Sequence, residues 1–278
     1  MPGALGIIAG GGDLPKAIAE SAGKTREIFI VALKGSAGEW AENLPHVWVA
    51  LGETGKALRA LKQAGCSEVL LAGNVERPKF SEIRLDAKSM LHAPRVISAA
   101  LKGDDALLRA LVELFEREGF RAIGPPEAAP GLLLGAGPLG RLTPGPEHAG
   151  DIALGLKVVR ALGALDVGQA TVVCAGLTLA VEAAEGTDAM LARIKSLPEH
   201  IRGTERKRRG VLVKAPKPIQ DRKTDVPVIG VRTILNGAAA GLAGVAFEAN
   251  GAIVLGREAV AKAADEAGLF VVGVAASA

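Results

Sequence analysis

The chain has 278 residues, of which 49% are hydrophobic and 23% charged, with a formal net charge of +3. That length favours two domains over a single core. No apolar run reaches the roughly 18 residues that span a bilayer. Two cysteines exclude a disulfide framework or a structural zinc site, and 3% aromatic residues without a tyrosine leave few platforms for stacking bases. Met1-Pro-Gly runs into the first apolar segment with no basic leader, so a cytosolic protein is expected.

Strands are predicted at 5–9, 28–33, 47–51, 68–73 and 120–123, with helices near 14–22, 54–64, 81–91 and 104–118. Such alternation implies a Rossmann-like, mostly parallel sheet with helices on its faces. From 124 to 146, twelve of 23 residues are Gly or Pro, which predicts a linker or a long crossing loop. A helix near 147–163 follows. Strands around 170–174, 177–182, 210–214, 244–248 and 251–255 come next, with helices near 187–195, 233–241 and 256–267. The expected architecture is α/β: an N-terminal Rossmann-like domain over 1–123, a mixed C-terminal domain over 147–278, and a ligand cleft between them.

The most informative segment is Gly6-Ile-Ile-Ala-Gly-Gly-Gly-Asp-Leu-Pro15. It reads as strand, glycine turn and helix, with Asp13 able to cap the first turn and Pro15 where a missing N–H costs nothing. Glycines admit a ligand close to the backbone, and a helix amino end favours negative charge. This is a phosphate cradle or, on the plainer reading, a tight turn that binds nothing. A dinucleotide site is disfavoured. Proline stands where that fingerprint places a third glycine, and Lys34 rather than an acid ends the second strand.

Polar clusters fall where predicted strands end, the place where open α/β sheets bind ligands. Asn74, Glu76, Arg77 and Lys79 close the fourth strand. Asp104 and Asp105 open a helix, where capping alone accounts for them. Glu182, Glu185 and Asp188 put three carboxylates in one short turn beside Thr187. Lys214, Lys217, Gln220, Asp221 and Asp225 share a loop stiffened by Pro216, Pro218 and Pro227. Carboxylates for a hard cation beside lysines for phosphate oxygens suit displacement at phosphorus, though an exposed polar loop has the same composition. Nine Lys/Arg against three acids between 200 and 225 make a solvated loop or a contact with anionic lipid headgroups. The four histidines show no metal-binding spacing, and neither a nucleophile elbow nor a P-loop is present.

In their order and spacing, Gly6…Pro15, Leu71-Ala-Gly-Asn-Val-Glu-Arg-Pro78, Gly103-Asp-Asp-Ala-Leu-Leu108, Glu185-Gly-Thr-Asp-Ala-Met190 and Lys214…Pro227 resemble the UDP-2,3-diacylglucosamine diphosphatases of lipid A biosynthesis, the type lacking metallophosphoesterase motifs. The resemblance covers nearly the whole chain. It implies Mg2+-dependent hydrolysis of UDP-2,3-diacylglucosamine to UMP and 2,3-diacylglucosamine 1-phosphate (lipid X), with water attacking the β phosphorus. It also implies two domains clasping the lipid and a bacterium with an outer membrane. By the matching segments, Asp225 is a metal ligand or the base for water, and Asp188, Glu182 and Asp221 lie at or around the metal. Lys214 neutralises charge on the departing oxygens. Gly11, Gly12, Asp13, Asn74, Glu76, Lys79, Asp104, Thr187 and Gln220 contact substrate. A non-catalytic lipid-nucleotide carrier is the competing reading. No nucleic acid is expected, while a homodimer and a peripheral contact with the inner membrane stay open.

Overall fold

The computed structural model describes residues 3–75, 86, 89, 90, 96, 98, 99, 104–217 and 226–275, with backbone alone at 104 and 105. Most of the predicted helix 81–91, together with Glu76, Lys79, Gln220, Asp221 and Asp225, lies outside these residues. The chain forms two compact units that divide between Pro130 and Gly131.

In the first unit, strands β1 (Ala4–Ala9), β2 (Ile28–Leu33), β3 (His46–Val49), β4 (Cys66–Ala72) and β5 (Arg121–Ala122) make one sheet in the order β3-β2-β1-β4-β5. All four pairings are parallel. β1 is central and nearly continuously apolar because helices cover both faces of a parallel sheet. Helix Thr54–Gln63 presents Ala57, Leu58 and Leu61 to it, a spacing that lines one helical face. The fit is close: a Cβ on Gly6 would meet Leu61 Cδ2 at 2.2 Å. Helix Asp104–Arg117 adds Val112 and Phe115 to the same core, and Phe120 packs edge-on to Phe115 at 6.3 Å.

The amino end of this sheet carries an ion network around a buried carboxylate. Glu68 on β4 is 7% exposed and accepts from Arg26 and Arg121, and Arg121 also pairs with Glu127. Burial alone would raise the Glu68 carboxyl; the Arg121 and Arg26 hydrogen bonds outweigh it and hold it below the ordinary carboxylate range. A carboxylate depressed in the folded state stabilises fully above its unfolded pKa and loses that contribution as pH falls through its folded pKa. Glu68→Gln is therefore expected to cost about 2 kcal/mol near pH 7. It should also flatten the acid limb of the melting-temperature profile below about pH 4. Melts of wild type and variant from pH 3 to 7 check this; parallel profiles would refute it.

The second unit holds a six-stranded mixed sheet in the order β6-β13-β11-β9-β7-β8. Its strands are β6 (Gly137–Pro138), β7 (Ala170–Cys174), β8 (Leu177–Val181), β9 (Val211–Lys214), β11 (Gly244–Glu248) and β13 (Phe270–Val274). β11 runs parallel to β9 and β13, while β6, β7 and β8 pair antiparallel. A separate parallel pair joins β10 (Val228–Ile229) to β12 (Ile253–Val254), so the predicted strand 251–255 stands outside the main sheet. On one face, helix Pro146–Ala164 packs Ile152, Leu156 and Val159 against Val211, Val213, Phe270 and Val272. On the other, helices Gly186–Ile194, Val231–Ala239 and Arg257–Ala267 cover Val172, Leu212, Val245, Phe247 and Val271.

Within the Gly/Pro-rich segment 124–146, Pro125–Ala128 is a short helix, Pro130–Leu132 a 3-10 turn, and Gly137–Pro138 the strand that borders β13. Sequence periodicity located nine helices or strands of the second half but passed over Phe270–Val274, although its run Phe-Val-Val-Gly-Val is apolar. Among the described residues, no helix is long and apolar enough to cross a membrane.

Candidate active site

In the first unit, the glycine turn lies at the carboxyl ends of β1 and β4, where the connections leave the sheet in opposite directions. That switch point is the usual ligand crevice of such sheets. Gly11 and Asn74 form a two-way backbone bridge, Gly11 N–H to Asn74 O at 2.8 Å and Asn74 N–H to Gly11 O at 3.0 Å. The glycines have distinct reasons to be there. A Cβ on Gly10 would meet Asn74 O at 2.6 Å, and one on Gly73, whose φ is +91°, would meet Gly11 O at 2.5 Å. Gly12 is also left-handed, with φ +84°, yet nothing lies within 4 Å of its added Cβ. Gly12, Asp13 and Asn74 are all exposed there.

The expected cap is not made. Asp13 is itself helical, at φ −87° and ψ −14°, and its side chain makes no capping bond to helix Leu14–Ala22. Its backbone carbonyl accepts from Ala17 at 3.0 Å instead. Pro15 sits in the first turn as anticipated. The helix opening at Asp104 is also present, although the Asp104 side chain lies outside the described atoms.

The second unit brings three predicted residues together. Along β9, side chains alternate between faces. Val211 and Val213 meet helix Pro146–Ala164, whereas Leu212 and Lys214 face helix Gly186–Ile194. There the Lys214 ammonium donates to Thr187 Oγ1 at 2.9 Å, and the Thr187 hydroxyl donates to Glu182 Oε1 at 2.6 Å. Glu182 Oε2 accepts from the Gln169 N–H at 3.1 Å. Lys214 is 4% exposed and Glu182 7%. Ala170 pairs with Lys214 in the sheet, so the ends of β7, β8 and β9 place Gln169, Glu182 and Lys214 together, and the first turn of helix Gly186–Ile194 adds Thr187.

The other two acids of the predicted turn go elsewhere. Glu185 pairs with Arg193 at 2.5 Å. Asp188 accepts from Asn236 Nδ2 at 2.9 Å and pairs with Arg232 Nε at 2.8 Å, tying helix Gly186–Ile194 to helix Val231–Ala239. The expectation of one shared carboxylate cluster is corrected. Only Asp188 stands on the helix itself, with Glu185 at its N-cap and Glu182 ahead of it at the end of β8, so each carboxylate meets a different partner. Among the described residues, no group of three or more His, Cys, Asp or Glu is placed to hold a metal.

The basic segment divides too. Lys217 pairs with Asp166 at 2.7 Å. Arg202 and Arg208 donate to the carbonyls of Leu197 and Ala238 at 2.7 and 2.8 Å, near the start of β9 and thus at the opposite strand end from Lys214. Burial pushes the Cys66 thiol up to about 11 and raises Cys174 as well, so neither offers a thiolate at neutral pH.

Sequence reading missed Gln169, whose side-chain Oε1 is buried without a hydrogen-bond partner among the described residues. It also missed Gly168, where a Cβ would meet Glu182 O at 2.1 Å. A single glutamine ahead of a strand gives no signal; its role depends on the β7–β8 pairing.

Residues 4–132 match the LpxI N-terminal domain and residues 135–272 the LpxI C-terminal domain. The chain belongs to the LpxI family. It is 50% identical over 273 residues to UDP-2,3-diacylglucosamine pyrophosphatase LpxI of Caulobacter vibrioides, covering 97% of each chain. The division between the two LpxI domains, between 132 and 135, lies within a few residues of the boundary of the compact units, and the Lys214–Thr187–Glu182 chain falls wholly within the LpxI C-terminal domain.

Proposed function

We propose that this chain hydrolyses the pyrophosphate bond of UDP-2,3-diacylglucosamine, giving UMP and 2,3-diacylglucosamine 1-phosphate for lipid A biosynthesis. One observation carries the reading: half of all positions agree, along nearly the full length of both chains, with a relative named for this activity. The geometry adds a buried ammonium at the carboxyl end of a central strand.

Water attacks the β phosphorus in line, forming a P–O bond as the bridging oxygen departs with UMP. Its proton passes to a carboxylate, for which Asp225 is the candidate. Negative charge grows on the bridging oxygen, and a fixed ammonium in a site with little water stabilises it far more than a solvated one. Lys214 is the candidate for that role. The open backbone at Gly12 offers an approach for a phosphate in the first unit.

Divalent metal assistance, with Mg2+ as the ion, belongs to this proposal. Glu182 already accepts a protein hydrogen bond at each oxygen and stands in a chain that begins at an ammonium, so the described residues do not assemble a metal cage. Of the expected ligands, Asp225 and Asp221 are the candidates to hold the ion. When bound, Mg2+ polarises phosphoryl oxygens and readies the attacking water. The setting proposed is the cytoplasmic face of the inner membrane.

The test is UMP release from UDP-2,3-diacylglucosamine followed by mass spectrometry. Release is expected with Mg2+, should fall at least a hundredfold in excess chelator, and should return on adding Mg2+ back. In 18O-labelled water, the label is expected in the sugar phosphate. Substrate bound but unchanged would identify a carrier. Turnover indifferent to chelator would remove the metal from the scheme.

A further inference from the structure

We propose that Thr187 and Glu182 are positioning residues whose shared task is to aim the Lys214 ammonium. The proposal rests on the diphosphatase reading above and gives Glu182 a role other than metal ligation. Three geometric facts support it. First, the hydrogen bonds have a fixed direction. A hydroxyl carries one proton, and that of Thr187 goes to Glu182 at 2.6 Å, so toward Lys214 the hydroxyl can only accept, which it does at 2.9 Å. Second, the far end of the chain is anchored by backbone. The Gln169 N–H donates to Glu182 Oε2 at 3.1 Å, and the Glu182 N–H donates to Ala170 O at 2.9 Å. The absence of a side chain at Gly168 admits the Glu182 carbonyl. Third, both charged ends are buried.

A lysine has four rotatable bonds and an ammonium without directional preference of its own. Buried beside a fixed acceptor, it loses that freedom before substrate arrives. The Glu182 charge, reached through Thr187, offsets the cost of burying the ammonium. Glu182 and Thr187 thus act through Lys214 and touch no reacting atom. Removing either loosens this hold on the cation, and misplacement by about 1 Å is worth roughly a hundredfold in rate.

The experiment compares steady-state UMP release by wild type, T187V, E182Q, T187V/E182Q and T187S, each with a thermal melt. T187V and E182Q are expected to lower kcat roughly tenfold to a hundredfold with KM within about threefold. The double variant should be no slower than the slower single, because both act on one lysine. T187S, which keeps the hydroxyl, should recover most of the loss. In parallel, enzyme carrying 13Cε-lysine should show one NMR signal that vanishes in K214M and moves in T187V; this readout needs no turnover. A kcat for T187V within twofold of wild type, multiplying effects in the double variant, or an unmoved Lys214 signal would overturn the relay. Should T187V not fold, E182Q against T187S decides on the same criteria. Wild type that releases no UMP while the Lys214 signal still moves would reject the diphosphatase reading and leave the hydrogen-bond chain as a structural fact.

Discussion

Lys214→Met is expected to lower kcat for UMP release by roughly 10²–10³-fold, equivalent to about 2.7–4 kcal/mol of transition-state stabilisation. Methionine retains the apolar stem that packs on Leu212's face of the sheet but removes the charge and its donors. The ammonium is fixed before substrate binds, by Thr187 at 2.9 Å in a pocket where only 4% of the residue is exposed. Its contribution therefore grows with the charge that develops on the bridging oxygen, and the loss should fall on kcat more than on KM. Stability should suffer as well, since Glu182 stays buried with its hydroxyl and amide donors but without the Lys214 charge at the end of its chain. Steady-state kinetics and a melting curve on the same preparation separate the two effects. Turnover within threefold of wild type would take Lys214 out of the chemistry.

Gly73→Ala should be the most damaging single methyl in the first unit. Its φ of +91° is one that side-chain-bearing residues avoid, and the added carbon would stand 2.5 Å from Gly11 O, 2.8 Å from the Gly10 carbonyl carbon and 2.8 Å from Pro15 Cγ. Strain and overpacking together amount to about 2–5 kcal/mol, or a fall in melting temperature of about 10 °C. Gly12→Ala makes the control. It is left-handed too, but open, so it should cost only about 1 kcal/mol. Melts of the two variants side by side give the answer, and a Gly73→Ala protein that melts like wild type would refute the account.

That pair of glycines shows where sequence reading reaches its limit. The run Gly10-Gly11-Gly12 announces close approach to a backbone, which the structure contains. However, the partner that approaches Gly10 and Gly11 is the chain itself, at Gly73 and Asn74, and only Gly12 opens outward. Apolar runs such as Ile28–Leu33 and Ala170–Cys174 located strands to the residue, because periodicity and turn residues are local properties. Lys214, Thr187 and Glu182 were each legible as strand-end polar groups. Their connection was not, since it depends on β7 pairing with both β8 and β9 and on Lys214 sharing a face with Leu212. The converse error came from proximity in sequence: Glu182, Glu185 and Asp188 sit within seven positions and serve three different partners.

The place of β13 bears on how the protein is made. Residues 270–274 form an interior strand, bordered by β11 on one side and by β6 on the other. The first unit has every strand of its sheet once Ala122 has left the ribosome and can fold while synthesis continues. The second cannot complete its sheet until Val274 emerges. Until then the open side of β11 and the buried faces of Val245 and Phe247 lack their cover, an edge of the kind that invites pairing with other chains. Nascent chains arrested shortly before residue 270 should therefore carry a protease-resistant first unit followed by a sensitive second one.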